Sequence, residues 1–167
     1  MDKPGKKRTV SELINASEHL YYEIAMFIVT GGLLAKKSVP ETSLVNAILE
    51  SFVIHFRVLC DFFYPEGPTE GDVLADHFFD SPSDWKRPKI TTFLRDSRKR
   101  ADKEVAHLTY DRQDVRPEEK YWKSPEIGKQ IISVIKAFLD AVPDGRIGPK
   151  CRDLKRHPLF ETPATDK

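Results

Sequence analysis

The chain has 167 residues, 40% hydrophobic and 32% charged, with two cysteines and a formal net charge of +1. That length suits one domain with a proper core, and the composition suits a soluble globular protein rather than a disordered or fibrous one. A charge so near zero excludes the whole-molecule field as a guide to a partner.

Charge is unevenly distributed. Lys3, Lys6, Lys7 and Arg8 open the chain, and Arg95, Arg98, Lys99, Arg100 and Lys103 crowd its centre. Only acidic charges occur from Glu66 to Asp84, and Arg146, Lys150, Arg152, Lys155 and Arg156 make the end basic again. Basic clusters attract phosphate, although such runs also serve simply as solvated surface. Cys60 falls in an apolar helix and Cys151 in a polar stretch, far apart in sequence. This spacing points to a reduced, cytoplasmic protein rather than a disulfide scaffold. The basic start leads into polar SELINASEHL, so no signal peptide is expected. The most apolar run, Ile24 to Ala35, is shorter than the roughly 20 residues that span a bilayer, so no membrane is expected.

Residues 1–8 are expected to be disordered, 9–142 to form a helical bundle, and 143–167 to be an irregular tail rich in proline and charge. Thr9-Val-Ser-Glu12 has capping-box spacing. The helix behind it carries Leu13, Leu20, Phe27 and Leu34 at heptad steps and is expected to reach about Lys37, with a bend or close helix approach at Gly31-Gly32. A second capping box, Ser38-Val-Pro-Glu41, opens a helix over Val39 to Tyr64. Its apolar residues, from Leu44 and Val45 through Phe56 to Phe63, wrap most of the circumference, predicting a central helix packed on several sides. One polar line remains: Asn46, Glu50, Arg57 and Asp61. Arg57 and Asp61 are four apart and are expected to pair. The line is either a solvated edge or a polar seam facing the site discussed below.

Residues 65–88 contain four prolines and two glycines. Asp72 to Phe79 is expected to form a short helix, and Ser81-Pro-Ser-Asp84 another turn. Asp76, His77 and Asp80 match no established metal spacing. Lys89 to Arg112 then reads as one amphipathic helix, its apolar face made by Ile90, Phe93, Leu94, Ala101, Val105 and Leu108. Asp111 to Lys123 forms a charged connection that Tyr121 and Trp122 are expected to pin to the bundle. Ser124-Pro125-Glu126 opens the last helix, which runs to about Val142. The expected fold is all-α, an up-down bundle of four principal helices plus short helices in the third connection.

No phosphate-cradling glycine loop, G-x-S-x-G elbow, H-E-x-x-H or Cys-x-x-Cys pair is present. His19, His55, His77 and His157 lack partners at suggestive spacing. Arg100 and His107 stand seven apart, two turns along one helix and to one side of its apolar stripe. That flank is where a helix meets a neighbour or another subunit. The alternative is a solvated Arg100 and a His107 bonded to a nearby carboxylate or carbonyl.

An Arg-x6-His pair in an all-helical domain resembles the HEPN superfamily (higher eukaryote and prokaryote nucleotide-binding domains). F-R-V-L-C-D-F-F at Phe56 to Phe63 and R-A-D-K-E-V-A-H-L at Arg100 to Leu108 look like uncharacterised bacterial HEPN-like proteins. The resemblance covers about residues 10–142. It implies a metal-independent, cofactor-free endoribonuclease of a toxin–antitoxin, CRISPR-linked or phage-defence system. Catalysis would use His107 as acid or base and Arg100 on the scissile phosphate, with Arg57, Asp61 and Lys103 in support. It also implies a homodimer burying the region around Arg100 to Tyr110, with single-stranded RNA or a nucleotide as ligand and an antitoxin-like protein as partner. The alternative reading is a non-catalytic HEPN-like module binding a nucleotide, RNA or a protein. Six intervening residues is the motif's upper limit, and Ala101 stands where active members often have a polar residue.

Overall fold

The computed structural model describes residues 8–36, 41–105 and 121–160. Among them are five helices: α1 (Val10–Lys36), α2 (Thr42–Phe63), α3 (Thr92–Glu104), α4 (Ser124–Ala141) and α5 (Pro149–Leu154). No strand occurs among the described residues, and the long helices pack as an all-α bundle.

The start of α1 follows from its capping box. The Thr9 backbone N–H donates to Glu12 Oε2 at 2.7 Å, and the Glu12 N–H donates to Thr9 Oγ1 at 3.2 Å, so two donors at an exposed helix end are satisfied reciprocally. Leu13, Leu20, Ile24 and Phe27 then bury one stripe. α2 returns antiparallel to α1, as the Phe27–Phe52 stack (4.8 Å) and the Tyr22–His55 contact (5.6 Å) show by their opposite order along the two helices. Gly31 permits this close approach: a Cβ there would lie 3.1 Å from the Phe52 ring.

α2 begins at Thr42 with Glu41 as an N-cap that makes no side-chain bond. Ser38, the expected cap, lies outside the described residues. The helix is not packed on several sides throughout, as its composition suggested. Its buried residues run from Phe52 to Phe63, whereas Leu44 is 50% exposed. By length and composition α2 is the one described helix sufficient to cross a membrane, yet its second half is embedded in protein.

Between α2 and α3 the chain makes two single 3-10 turns, Ala75–Phe78 and Pro82–Asp84, the second capped by Ser81 and Asp84. These turns deliver Phe78, Phe79 and Trp85 to an aromatic cluster. The Phe138 ring of α4 stands edge-to-face at 5.3–5.9 Å from Phe62, Phe63, Phe78, Phe79 and Trp85. Such edge-to-face pairs contribute beyond area burial because ring edges carry positive and ring faces negative charge density.

The C-terminal stretch is not an irregular tail. From Asp144 to Phe160 it forms a 3-10 turn and α5, and buries Ile147, Cys151, Leu154 and Phe160. Those four apolar side chains are interspersed with proline and charge, which hid them from a search for long periodic runs. The segment is tied to α1 through Ser17: the Gly148 N–H donates to Ser17 Oγ at 2.7 Å, and Cys151 Sγ–H donates to Ser17 O at 3.0 Å. A Cβ at Gly148 would sit 2.3 Å from Glu18 Oε1, so any larger residue there must displace the Glu18 side chain.

Phe56 is fully buried, and Phe56→Ala is expected to cost about 3–5 kcal/mol by lost transfer energy and cavity formation, measured as a lower urea midpoint. Burial pushes the thiols of both Cys60 and Cys151 up to about 12. The thiolate is the reactive form, so the native protein is expected to resist alkylation at pH 7–8, while both cysteines react once it is unfolded. Native-state labelling at either position would contradict this packing.

Candidate functional site

α3 places charged side chains on two different faces. Arg98 falls in line with Leu94 and Ala101, all three buried, because steps of four and three residues return to one side of a helix. A charge in a core stripe is costly unless it is fully bonded. Arg98 donates Nη1 to Tyr64 O at 2.7 Å and Nη2 to Asp61 Oδ1 at 2.5 Å, with Glu66 at 3.4 Å. One turn along α3, Asp102 forms an ion pair with Arg57 of α2. The expected Arg57–Asp61 pair therefore does not form; each residue reaches across to α3 instead. Burial raises the Asp61 carboxyl above its ordinary value, against the lowering effect of Arg98 and Arg57.

These groups line an open cleft of about 690 Å³ between α1, α2, α3 and the segment after α2. His19 and Glu23 face it from α1, and Glu23 Oε2 lies 2.6 Å from Nδ1 of the buried His55. Glu23, Asp61, Glu66, Asp72 and Asp102 supply five carboxylates to the lining, against the guanidiniums of Arg57 and Arg98. With five carboxylates against two guanidiniums, the cleft carries net negative charge and disfavours a polyanion.

Arg100 is elsewhere. It is two residues from Arg98, or about 200° around the helix, and faces the start of α4. Its Nε donates to Glu104 Oε1 at 2.7 Å and its Nη1 to Tyr121 O at 2.9 Å; the guanidinium lies 4.2 Å from the centre of the Trp122 ring. Its Nη2 is buried with no hydrogen-bond partner among the described residues. Trp122 is buried as expected, whereas Tyr121 is 69% exposed and contributes only its carbonyl. Lys103 is exposed. α3 runs from Thr92 to Glu104 with Val105 as its C-cap, and the rest of the helix expected to reach Arg112, His107 included, lies outside the described residues. Arg57 and Asp61 are thus brought together with Arg98 and Asp102, not with Arg100.

Among the described residues no three His, Cys, Asp or Glu side chains are grouped to hold a metal ion. No protein-family model, curated protein or solved structure matches the chain. Sequence reasoning missed Arg98, Glu23 and His55. A signal existed for Arg98, an arginine inside an apolar stripe. The Glu23–His55 pair links residues 32 apart, and no local pattern encodes such a contact.

Arg98→Met is expected to cost about 1–3 kcal/mol, because Asp61 and the Tyr64 carbonyl lose a charged donor. Arg98→Lys should recover only part of this, since one ammonium cannot span both acceptors as a planar fork does. Equal stability of Arg98→Met and wild type in urea titrations would refute the role given to this side chain.

Proposed function

We propose that this chain is an HEPN-like helical module that acts by binding a protein partner rather than by cutting RNA. The observation that carries the reading is the engagement of Arg100. An arginine that clamps a scissile phosphate needs free donors aimed at solvent or a cleft, whereas this one bonds Glu104 and the Tyr121 carbonyl and lies against Trp122. It joins α3 to the start of α4. The main cleft, with carboxylates in excess, suits a phosphate chain no better.

A second reading is the metal-independent endoribonuclease of a toxin–antitoxin or defence system, working as a homodimer with Arg100 and His107 at its centre. The unpartnered Nη2 of Arg100 favours it, since a phosphate oxygen would satisfy that donor. In this reading His107 exchanges a proton with the ribose 2′-oxygen or the leaving 5′-oxygen.

The two readings separate in one assay. Purified protein is incubated with varied single-stranded RNAs in chelator, alongside Arg100→Ala and His107→Ala. The binding module gives no cleavage above a heat-inactivated control, and Arg100→Ala lowers thermal stability. Cleavage leaving a 2′,3′-cyclic phosphate, and falling by roughly a hundred- to ten-thousandfold in His107→Ala, would establish the nuclease instead.

A further inference from the structure

α2 changes character at Phe52. No residue from Thr42 to Ser51 is buried, whereas eight between Phe52 and Phe63 are. Along its outer side runs a row at alternating three- and four-residue steps: Leu44, Ala47, Ser51, Ile54 and Val58. Its large members are open to solvent, with Leu44 50%, Ile54 49% and Val58 40% exposed. α1 carries a matching row, Tyr22, Val29 and Leu33, at 54%, 55% and 37%. The two rows lie on the adjacent, antiparallel helices of the hairpin. This is the spacing of a coiled-coil seam, with no described helix against it.

We propose that the seam is closed by a second copy of this chain, its α2 lying antiparallel across a two-fold axis between Ser51 and Ile54. The proposal rests on the binding reading and names the partner. Leu44 apart, which this register sets against the partner's Asp61, the small residues of the seam, Ala47 and Ser51, come first and the large ones, Ile54 and Val58, come second. An antiparallel two-fold sets Ala47 against the partner's Val58 and Ser51 against the partner's Ile54, so Ile54 and Val58 each meet a small side chain. A parallel pairing would set large on large and leave gaps at the small positions. This self-complementarity is what an isologous interface requires.

Charge follows the same symmetry. Glu50 and Arg57 lie on one edge of the seam, about 20° apart around the helix. The antiparallel register brings each Glu50 beside the partner's Arg57 near the rim. Glu50 is exposed, and no described side chain pairs with it. Leu44 to Val58 spans about 21 Å of helix at 1.5 Å per residue.

The pairing differs from the dimer expected around Arg100 to Tyr110, because its residues lie on α2 and not around Arg100 of α3. It also bears on the cleft, whose lining includes Arg57 and Val58. The partner's α2 would form the outer wall of that cleft, so each binding pocket is completed only in the dimer.

Sedimentation equilibrium of the full chain up to about 100 μM is the test. The expected mass is twice the 19.2 kDa of one chain. Val58→Glu and Ala47→Glu, both at exposed positions, should give monomers with unchanged circular dichroism. Mixing Ala47→Cys with Val58→Cys should yield a disulfide-linked heterodimer under mild oxidation, which keeps the test decisive should a glutamate variant misfold. A monomer over the whole range overturns the proposal, as does a dimer indifferent to both glutamates and not cross-linked by the cysteine pair. A monomer that floats with phosphatidylcholine vesicles, and ceases to in Val58→Glu, would also overturn it by assigning the face to lipid. None of these failures touches the binding reading, which falls only to His107-dependent RNA cleavage.

Discussion

The contact on which the architecture depends is the meeting of five aromatic rings at the edges and face of Phe138. That one side chain joins α4 to the end of α2 and to both 3-10 turns. The segment from Pro65 to Trp85 contains proline, glycine and acid but no helix of useful length, so it has little backbone structure to hold it. Phe78, Phe79 and Trp85 position it instead. The floor of the charged cleft is thereby fixed, since Leu74 and its neighbours lie immediately before these aromatics.

Arg98 ties this aromatic core to the cleft. It is buried among apolar neighbours, yet its two terminal nitrogens reach the Tyr64 carbonyl and Asp61, at the point where α2 stops. The arginine satisfies acceptors at a helix C-terminus that no further turn of α2 can satisfy, and its charge is favourably placed there. The neighbouring Tyr64 hydroxyl donates to Pro88 O at 2.9 Å, holding the chain on its approach to α3. One guanidinium and one phenol thus register three consecutive parts of the sequence.

How much of this was legible in the sequence depended on range. The Thr9–Glu12 cap, the α1 stripe and the helical character of all four principal segments come from contacts within a few residues, and each has a periodic signature. Arg57 and Asp61 also looked like a local pair at helical spacing, but each pairs with a residue of α3 instead, so tertiary contacts overrode proximity. The exposed half of α2 escaped for another reason: an apolar circumference indicates that burial is needed, not whether this chain or something else provides it. Arg100 was correctly placed on a flank, but its engagement with Glu104, Tyr121 and Trp122 depends on where α4 begins, which no property of α3 determines. The folded character of 144–160 was hidden because four anchoring side chains without a long period suffice when a serine on α1 already waits to bond the backbone.

The Ser17 contact has a consequence for the way the protein is made. Ser17 and Gly148 are 131 residues apart, so the inner face of α1 must remain without its last layer until synthesis has passed Gly148. At roughly 5–20 residues per second, that interval is on the order of ten seconds. During it, Ser17 lacks Gly148 and Cys151, and the outer rows of the α1–α2 hairpin are uncovered as well. The nascent chain therefore presents apolar surface on both sides of its first hairpin, a state that favours chaperone capture over early solitary folding.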